Sequence, residues 1–346
     1  MELASPPASG AQGRQVFEDA LAVARVADRL GFDALWLAEH HLLGDYSNSS
    51  APDMVLAAMA RETRRIGLGL GVVPLPLHDP LRVAERLATL DALSGGRVLW
   101  GIGRGVTLTE LDAFGIAPAD SRAIMTERLQ ALLGMLRTGA CARAGTRHDI
   151  RPAVRPELAR GWLAAVSPES FDLAAALGLD VMSGPFKPWP LVRADLARYR
   201  RLSPRGRTSF ALAVYCERDH ESARRRAADG IVWAYRRIMD ITRPLLARQL
   251  AGYEHYRRLG WLAGVAQRVL SLGLLERLGL AAVGDPEHVA RRLDRLARSG
   301  LDRVSLIVGG GDLSVAETAA CLELIAHEVR PRLAVHATTG AQAVQA

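Results

Sequence analysis

The chain has 346 residues, 49% of them hydrophobic and 23% charged, a mixture that excludes a disordered polyelectrolyte. No apolar run reaches the ~18 residues of a membrane span, and no charged, apolar and small-residue leader precedes the first helical pattern, so a cytoplasmic protein making no use of a membrane is expected. The formal charge of +7 is carried almost wholly by arginine, Lys187 being the only lysine; the densest basic run, "ESARRRAADG" at 221–230, lacks the aromatics that stack on bases and reads as a solvated helix face, with no nucleic acid as partner.

Helical spacing of apolar residues runs over 15–30 and stops at Gly31, a favourable C-terminal glycine. The short apolar segment "FDALWLAE" follows as a strand, and the alternation then repeats: helix 52–64, strand 66–73, helix 80–93, strand 97–102. Further on come strand 161–166, helix 168–177, strand 179–183, helix 188–202 and strand 209–216. Helix 285–299, strand 302–308 and helix 314–329 complete the pattern. Strands apolar almost throughout and separated by helices indicate a parallel sheet covered on both faces. The fold class expected is α/β, a (β/α)8 TIM barrel over residues 1–335 with a helix-rich insertion at about 219–280. "MELA" at 1–4 is the candidate for a short first strand, and 336–346 is expected to be a disordered tail. Within the insertion, 233–262 has the aromatics and arginines of a lid or partner surface, or of a plain helical elaboration. Cys141, Cys216 and Cys321 are far apart without CxxC spacing, which suggests free thiols and neither a disulfide framework nor a metal site.

In a parallel barrel the loops after the strands share one mouth, and functional groups gather there. Three titratable residues, Glu39, His40 and His41, stand at such a strand end. Alternation puts Glu39 and His41 on one side and His40 on the other, so the two histidines are poorly placed to bind one metal together. "GIGRGV" at 101–106 is either a tight turn or a close-approach loop whose Arg104 offers a forked donor for a phosphate. Ser167, Pro168, Glu169 and Ser170 open a helix where the dipole attracts an anion, with Ser167 also readable as an ordinary cap. Gly69 and Gly71 inside a strand mark a bulge, a close ligand approach or packing against a helix. Together these loops suggest one phosphorylated cofactor lying across the mouth.

"AEHH", "DALSGGRVLWGIGRG", "SPES" and "GDPEHVARRLDRLARSGLDRVSLIV", in this order, resemble the bacterial luciferase-like flavin-dependent monooxygenase family over residues 14–333. The resemblance implies a (β/α)8 barrel and reduced, diffusible FMN supplied by a separate NAD(P)H:flavin reductase. Dioxygen would be the co-substrate, and a small-molecule substrate would be oxygenated through a flavin 4a-hydroperoxide, with natural-product tailoring as one setting. It places catalysis on His40, with Glu39 and His41 beside it, and puts the FMN phosphate on Arg104 and the backbone near Ser167, Glu169 and Ser170. Gly71 and Val72 would lie under the ring, joined by a cis peptide. Relatives pair through the helices at 52–64 and 80–93, so a homodimer is expected. The alternatives are a deazaflavin-dependent oxidoreductase that transfers hydride and a non-catalytic flavin-binding relative.

Overall fold

The computed structural model describes residues 3–4, 13–185, 187–247, 269–309 and 312–333; the 336–346 tail and residues 248–262 of the expected lid lie outside them. Helix α1 (Arg14–Arg29) leads to β1 (Ala34–Leu37), followed by α2 (Pro52–Glu62), β2 (Gly67–Pro74), α3 (Pro80–Ser94) and β3 (Val98–Gly103). Next come α4 (Leu108–Ala113), α5 (Ser121–Thr138), a β4 (Ala140–Arg143)/β5 (Thr146–Asp149) hairpin, β6 (Trp162–Ala164), α6 (Pro168–Leu177), β7 (Asp180–Ser183), α7 (Trp189–Leu202) and β8 (Thr208–Cys216). The chain continues with α8 (His220–Ala247), α9 (Leu272–Arg277), β9 (Ala281–Gly284), α10 (Pro286–Ala297), β10 (Arg303–Ile307) and α11 (Val315–Leu324).

Local sequence sets many of these boundaries. Asp79 accepts from the N–H groups of Leu81 and Arg82 with Pro80 at the first helical position, and Gly95 closes α3 at φ 68°, the conformation glycine adopts without penalty. Asp285 and Pro286 repeat the device on α10, and Ser314 with Glu317 forms a reciprocal capping box on α11. No helix among the described residues is long and apolar enough to cross a membrane.

The sheet is parallel in the order β1-β2-β3-β6-β7-β8-β10, with β9 also paired to β8. Strand β8 is long enough to hold two partners end to end: β10 along Ser209–Ala213 and β9 along Ala213–Cys216. The α/β class with a parallel sheet is as expected, and two details of the barrel differ among the described residues. Among the described residues no pairing joins β1 to β10, so the sheet is not closed. Residues 3–4 form no strand; the Leu3 carbonyl instead accepts from the backbone and side-chain nitrogens of Asn48. The eighth strand of the sheet is Ala281–Gly284, too short and too close to α9 for periodicity to separate.

The interior glycines answer to bulky neighbours within the sheet. A Cβ on Gly69 would lie 2.4 Å from the Trp36 indole and one on Gly71 2.9 Å from it, so these glycines make room for a β1 side chain rather than for a helix. Gly101 and Gly103 do the same for Val72, whose methyls would stand 2.9 and 2.5 Å from an added Cβ. Gly161 admits Trp100, buried to 1% with its indole nitrogen donating to the Leu158 carbonyl at 2.8 Å.

The arginine run on α8 is not a simple solvated face. Arg224 pairs with Glu276 at 2.6 Å, while Arg226 reaches Asp312 at 2.8 Å and Glu317 of α11 at 2.5 Å. Hydrogen bonding to Arg226, reinforced by Ser314, holds the Glu317 carboxyl down at about 2 despite some opposing burial. Because the folded value lies below the unfolded one, this stabilisation is complete above the ordinary carboxylate pKa and is lost as pH falls through about 2. Discounted for a side chain 32% exposed, it amounts to roughly 1–2 kcal/mol. Urea titrations of Glu317→Gln beside the parent should show that gap at pH 6, narrowing steadily toward pH 3. A pH-independent gap would locate the effect in the cap alone.

Candidate active site at the strand ends

The loops after β1, β2, β3 and β6 meet at one end of the sheet. Strand β1 ends at Leu37, and the chain after it is fixed by the His40 N–H donating to the Ser49 carbonyl at 3.0 Å. The three titratable residues then part company, as alternation predicts. His40 turns toward Glu110 of α4, its Nδ1 3.1 Å from Oε1, and packs edge-on to Tyr46 with 5.5 Å between ring centroids. His41 turns back, its Nε2 3.0 Å from Glu39 Oε1, with Phe114 edge-on at 4.9 Å.

Glu110 is one of the site residues that no motif in the sequence marks. It is buried to 2% and tightly held: Oε1 also accepts the His41 N–H at 2.9 Å, and Oε2 accepts the Thr107 hydroxyl at 2.6 Å. Burial alone would raise its pKa; hydrogen bonds and charge from His40, with Thr107 and the His41 N–H, outweigh this and hold it below the ordinary carboxylate value. An ionised carboxylate can only accept, so His40 Nδ1 carries a proton and Nε2 is the ring nitrogen turned from Glu110. The Thr107-x-x-Glu110 spacing looks like a capping box, and Thr107 does cap α4, which hides the reach of Glu110 to another loop.

Glu39 is a second buried carboxylate, 3% exposed. His41 and His78, the latter from the turn after β2, both direct Nε2 at its Oε1. One carboxylate oxygen and two imidazole nitrogens thus lie within 4.8 Å of one another. On the far side, Arg86 Nη1 stands 3.5 Å from His78 Nδ1 and is itself clamped to Asp53 at 2.7 and 2.8 Å. Because an arginine can only donate, it places the His78 proton on Nε2, facing Glu39, and the trio is a hydrogen-bonded cluster around an anion. Burial pushes the Glu39 carboxyl up, but His41, His78 and Arg86 together bring it below its ordinary value.

Glu39 and His40 line a cavity of about 1620 Å³, together with Gly71, Val72, Arg104, Ser167, Glu169 and Ser170. His41 is not among its lining residues, and its Nε2 is turned to Glu39. The Gly71–Val72 peptide is cis, at the bond the family resemblance singled out. Trp36, Trp162 and Val72 give this part of the cavity an apolar wall, the two indoles meeting edge-on at 6.1 Å.

A cationic corner stands across the cavity. Arg104 is braced by Ser121 Oγ at 2.8 Å and the Pro118 carbonyl at 3.3 Å. Arg122 of α5, unremarked in the sequence, points Nη2 at Ser167 Oγ, 3.5 Å away, and stands 3.9 Å from the largely exposed Glu169 carboxylate. Ser167 has the backbone of an N-cap, yet its hydroxyl makes no capping bond; it lies 3.2 Å from Ser170 Oγ. Lys187 donates to the Val166 carbonyl at 3.1 Å and pairs with Asp195, pinning the loop that carries Ser167. Two guanidinium groups, two hydroxyls and a helix N-terminus converge there, a donor set suited to a phosphate.

In this parallel α/β fold a cationic corner and a histidine on a buried carboxylate line one cavity at the strand ends. The family model described as "Luciferase-like monooxygenase" matches residues 3–303, and the chain belongs to that family. Limonene 1,2-monooxygenase of Rhodococcus erythropolis is 30% identical over 320 residues, 88% of this chain and 78% of the relative. The 4-hydroxyprotoasukamycin monooxygenase of Streptomyces nodosus subsp. asukaensis is 34% identical over 230 residues, 61% of this chain and 62% of that protein. Among solved structures, monooxygenase RslO1 from Streptomyces bottropensis superposes with a TM-score of 0.78 at 26% identity, covering 95% of this chain and 97% of the other. The fold is also shared, at 19% identity and a TM-score of 0.74, by the oxygenating constituent of 3,6-diketocamphane monooxygenase from Pseudomonas putida, solved with FMN, over 96% of this chain and 99% of that one.

Proposed function

We propose that this protein is an FMN-dependent monooxygenase that receives reduced FMN from a separate flavin reductase and oxygenates a small organic substrate with dioxygen. The observation that carries the reading is the pairing, in one cavity, of the Glu110-held His40 with the corner of Arg104, Arg122, Ser167 and Ser170. That corner fits a terminal phosphate, and the Trp36, Trp162 and Val72 wall fits a planar ring system, so the residues present suit FMN. When bound in reduced form, FMN supplies the electrons that activate dioxygen.

The remaining work belongs to the protein. Arg104 and Arg122 fix the anionic end; the indole and valine wall excludes water from the other end. His40, with Nδ1 anchored to Glu110, presents Nε2 as a proton donor or acceptor at one defined position, and imidazole is suited to both roles near neutral pH. Glu39, kept anionic by His41 and His78, adds a fixed negative charge beside it.

Members of this fold that use deazaflavin F420, among them a secondary alcohol dehydrogenase with a TM-score of 0.67 at 17% identity, covering 93% of this chain and 96% of that one, define the alternative of hydride transfer without oxygen. Anaerobic titration with reduced FMN and, separately, reduced F420 separates the two, followed by mixing with air-saturated buffer. Tight FMN binding and reoxidation that differs in rate and phases from free FMN are expected. Binding of F420 alone, inert toward oxygen, would replace the monooxygenase reading.

A further inference from the structure

The cavity measures about 1620 Å³, above the roughly 300–1,000 Å³ of common small-molecule sites, and it extends from the strand ends to the strand starts at Asp33 and Arg303. Part of its space beyond the phosphate corner is walled by one face of α8. Ala234, Tyr235, Ile238, Met239, Thr242 and Leu245 all line it, at the spacing that puts them on one helical stripe. The stripe reaches the chemistry directly: Leu245, buried to 1%, packs against Leu111 of α4, the neighbour of Glu110.

The hydroxyl protons on this face of α8 are already donated. Thr242 donates its hydroxyl proton to the Ile238 carbonyl at 2.7 Å, and Tyr235 donates to the Leu280 carbonyl at 2.7 Å. Deeper in the same cavity the Ser183 hydroxyl donates to the Ala165 carbonyl at 2.6 Å, and Ser209 and Ser305 pair with each other at 2.9 Å. Arg207, which also lines it, is bound to Asp180 and lies over Trp162 at 5.2 Å. An anionic group moved onto this face of α8 gives up its water and finds there no threonine or tyrosine proton left to accept. An apolar molecule meets no such cost there, and its burial is favourable.

We infer that the compartment under α8 is the substrate's, and that it takes a neutral, hydrocarbon-rich molecule, with carboxylated or phosphorylated analogues excluded. The inference rests on the FMN reading for the other half of the cavity. The test uses the purified full chain and two probes of one skeleton, limonene and its carboxylate analogue perillic acid, titrated against tryptophan fluorescence, since Trp36, Trp162 and Trp233 line the cavity. FMN is titrated against the same samples.

Limonene should bind at least tenfold more tightly than perillate. Ile238→Asp, which sets a carboxylate on the stripe, should weaken limonene at least tenfold while leaving FMN affinity within a factor of two; Ala234→Phe, which fills the space without charge, should weaken it as well. Equal or tighter binding of perillate, no binding of limonene, or parental limonene affinity in both variants would overturn the inference. FMN binding without limonene preference refutes this inference alone. Limonene preference without FMN binding refutes the cofactor reading alone.

Discussion

Glu110→Ala is expected to bind FMN nearly as well as the parent and to oxygenate at a rate lower by about 10²–10⁴, the span that a positioned acid-base group contributes. Three donors converge on the Glu110 carboxylate: His40 Nδ1, the His41 N–H and the Thr107 hydroxyl. Two of them share Oε1, and the third, the Thr107 hydroxyl, can accept as well as donate. Glu110→Gln can therefore keep its oxygen on His40 and His41 and turn its amide to Thr107, so it should recover part of the loss and lack only the negative charge that stabilises a protonated His40. The rate is read in single turnover with a substrate the parent oxygenates, and the tautomer by nitrogen NMR of labelled histidine. In the parent, neutral His40 should carry its proton on Nδ1, and in Glu110→Ala that preference should disappear. A parent already protonated on Nε2, or a Glu110→Ala rate equal to the parent's, would remove Glu110 from the mechanism. The NMR reading matters because a purely structural defect would lower activity without moving the proton between ring nitrogens.

What the sequence disclosed and what it hid follow from the range of the interactions concerned. Strands β1, β2 and β3 and helices α2, α3 and α6 were legible because their signals are local: apolar runs, Pro at the first turn, Gly after the last. Glu39 and His40 were legible because a titratable cluster at the end of an apolar strand is unusual in a parallel sheet. His78, Glu110 and Arg122 were not, since each acts on a residue 39, 70 or 45 positions away, and no period or motif encodes such a pairing. His41 was placed beside His40 by the resemblance, and its ring is the one turned to Glu39. Closure of the sheet was beyond periodicity too, because the pattern counts strands and cannot register which edges meet; that no pairing joins β1 to β10 among the described residues, and that β8 is shared, are properties of pairing alone.

Replacing both Arg104 and Arg122 by Met should weaken FMN about 10²–10⁴-fold, the sum of two charge-assisted hydrogen bonds of about 1.5–3 kcal/mol each. Methionine keeps much of the apolar stem volume, so the change removes charge and donors in preference to packing. Riboflavin, which lacks the phosphate, is the control: its affinity should stay within a factor of about two, collapsing the preference for FMN. Each single variant should lose roughly 10–100-fold, and the pair need not be additive, because Arg104 is held by Ser121, the residue next to Arg122 at the start of α5. Added salt should weaken FMN binding to the parent more than to the double variant, since screening acts on the charges that the variant lacks. Equal loss of riboflavin and FMN would mean that the arginines hold the fold of the mouth, and an unchanged FMN affinity would mean that the phosphate lies elsewhere. Either result would detach the cationic corner from the cofactor. The predicted pattern ties the corner to the phosphate and leaves the volume under α8 for the molecule to be oxygenated.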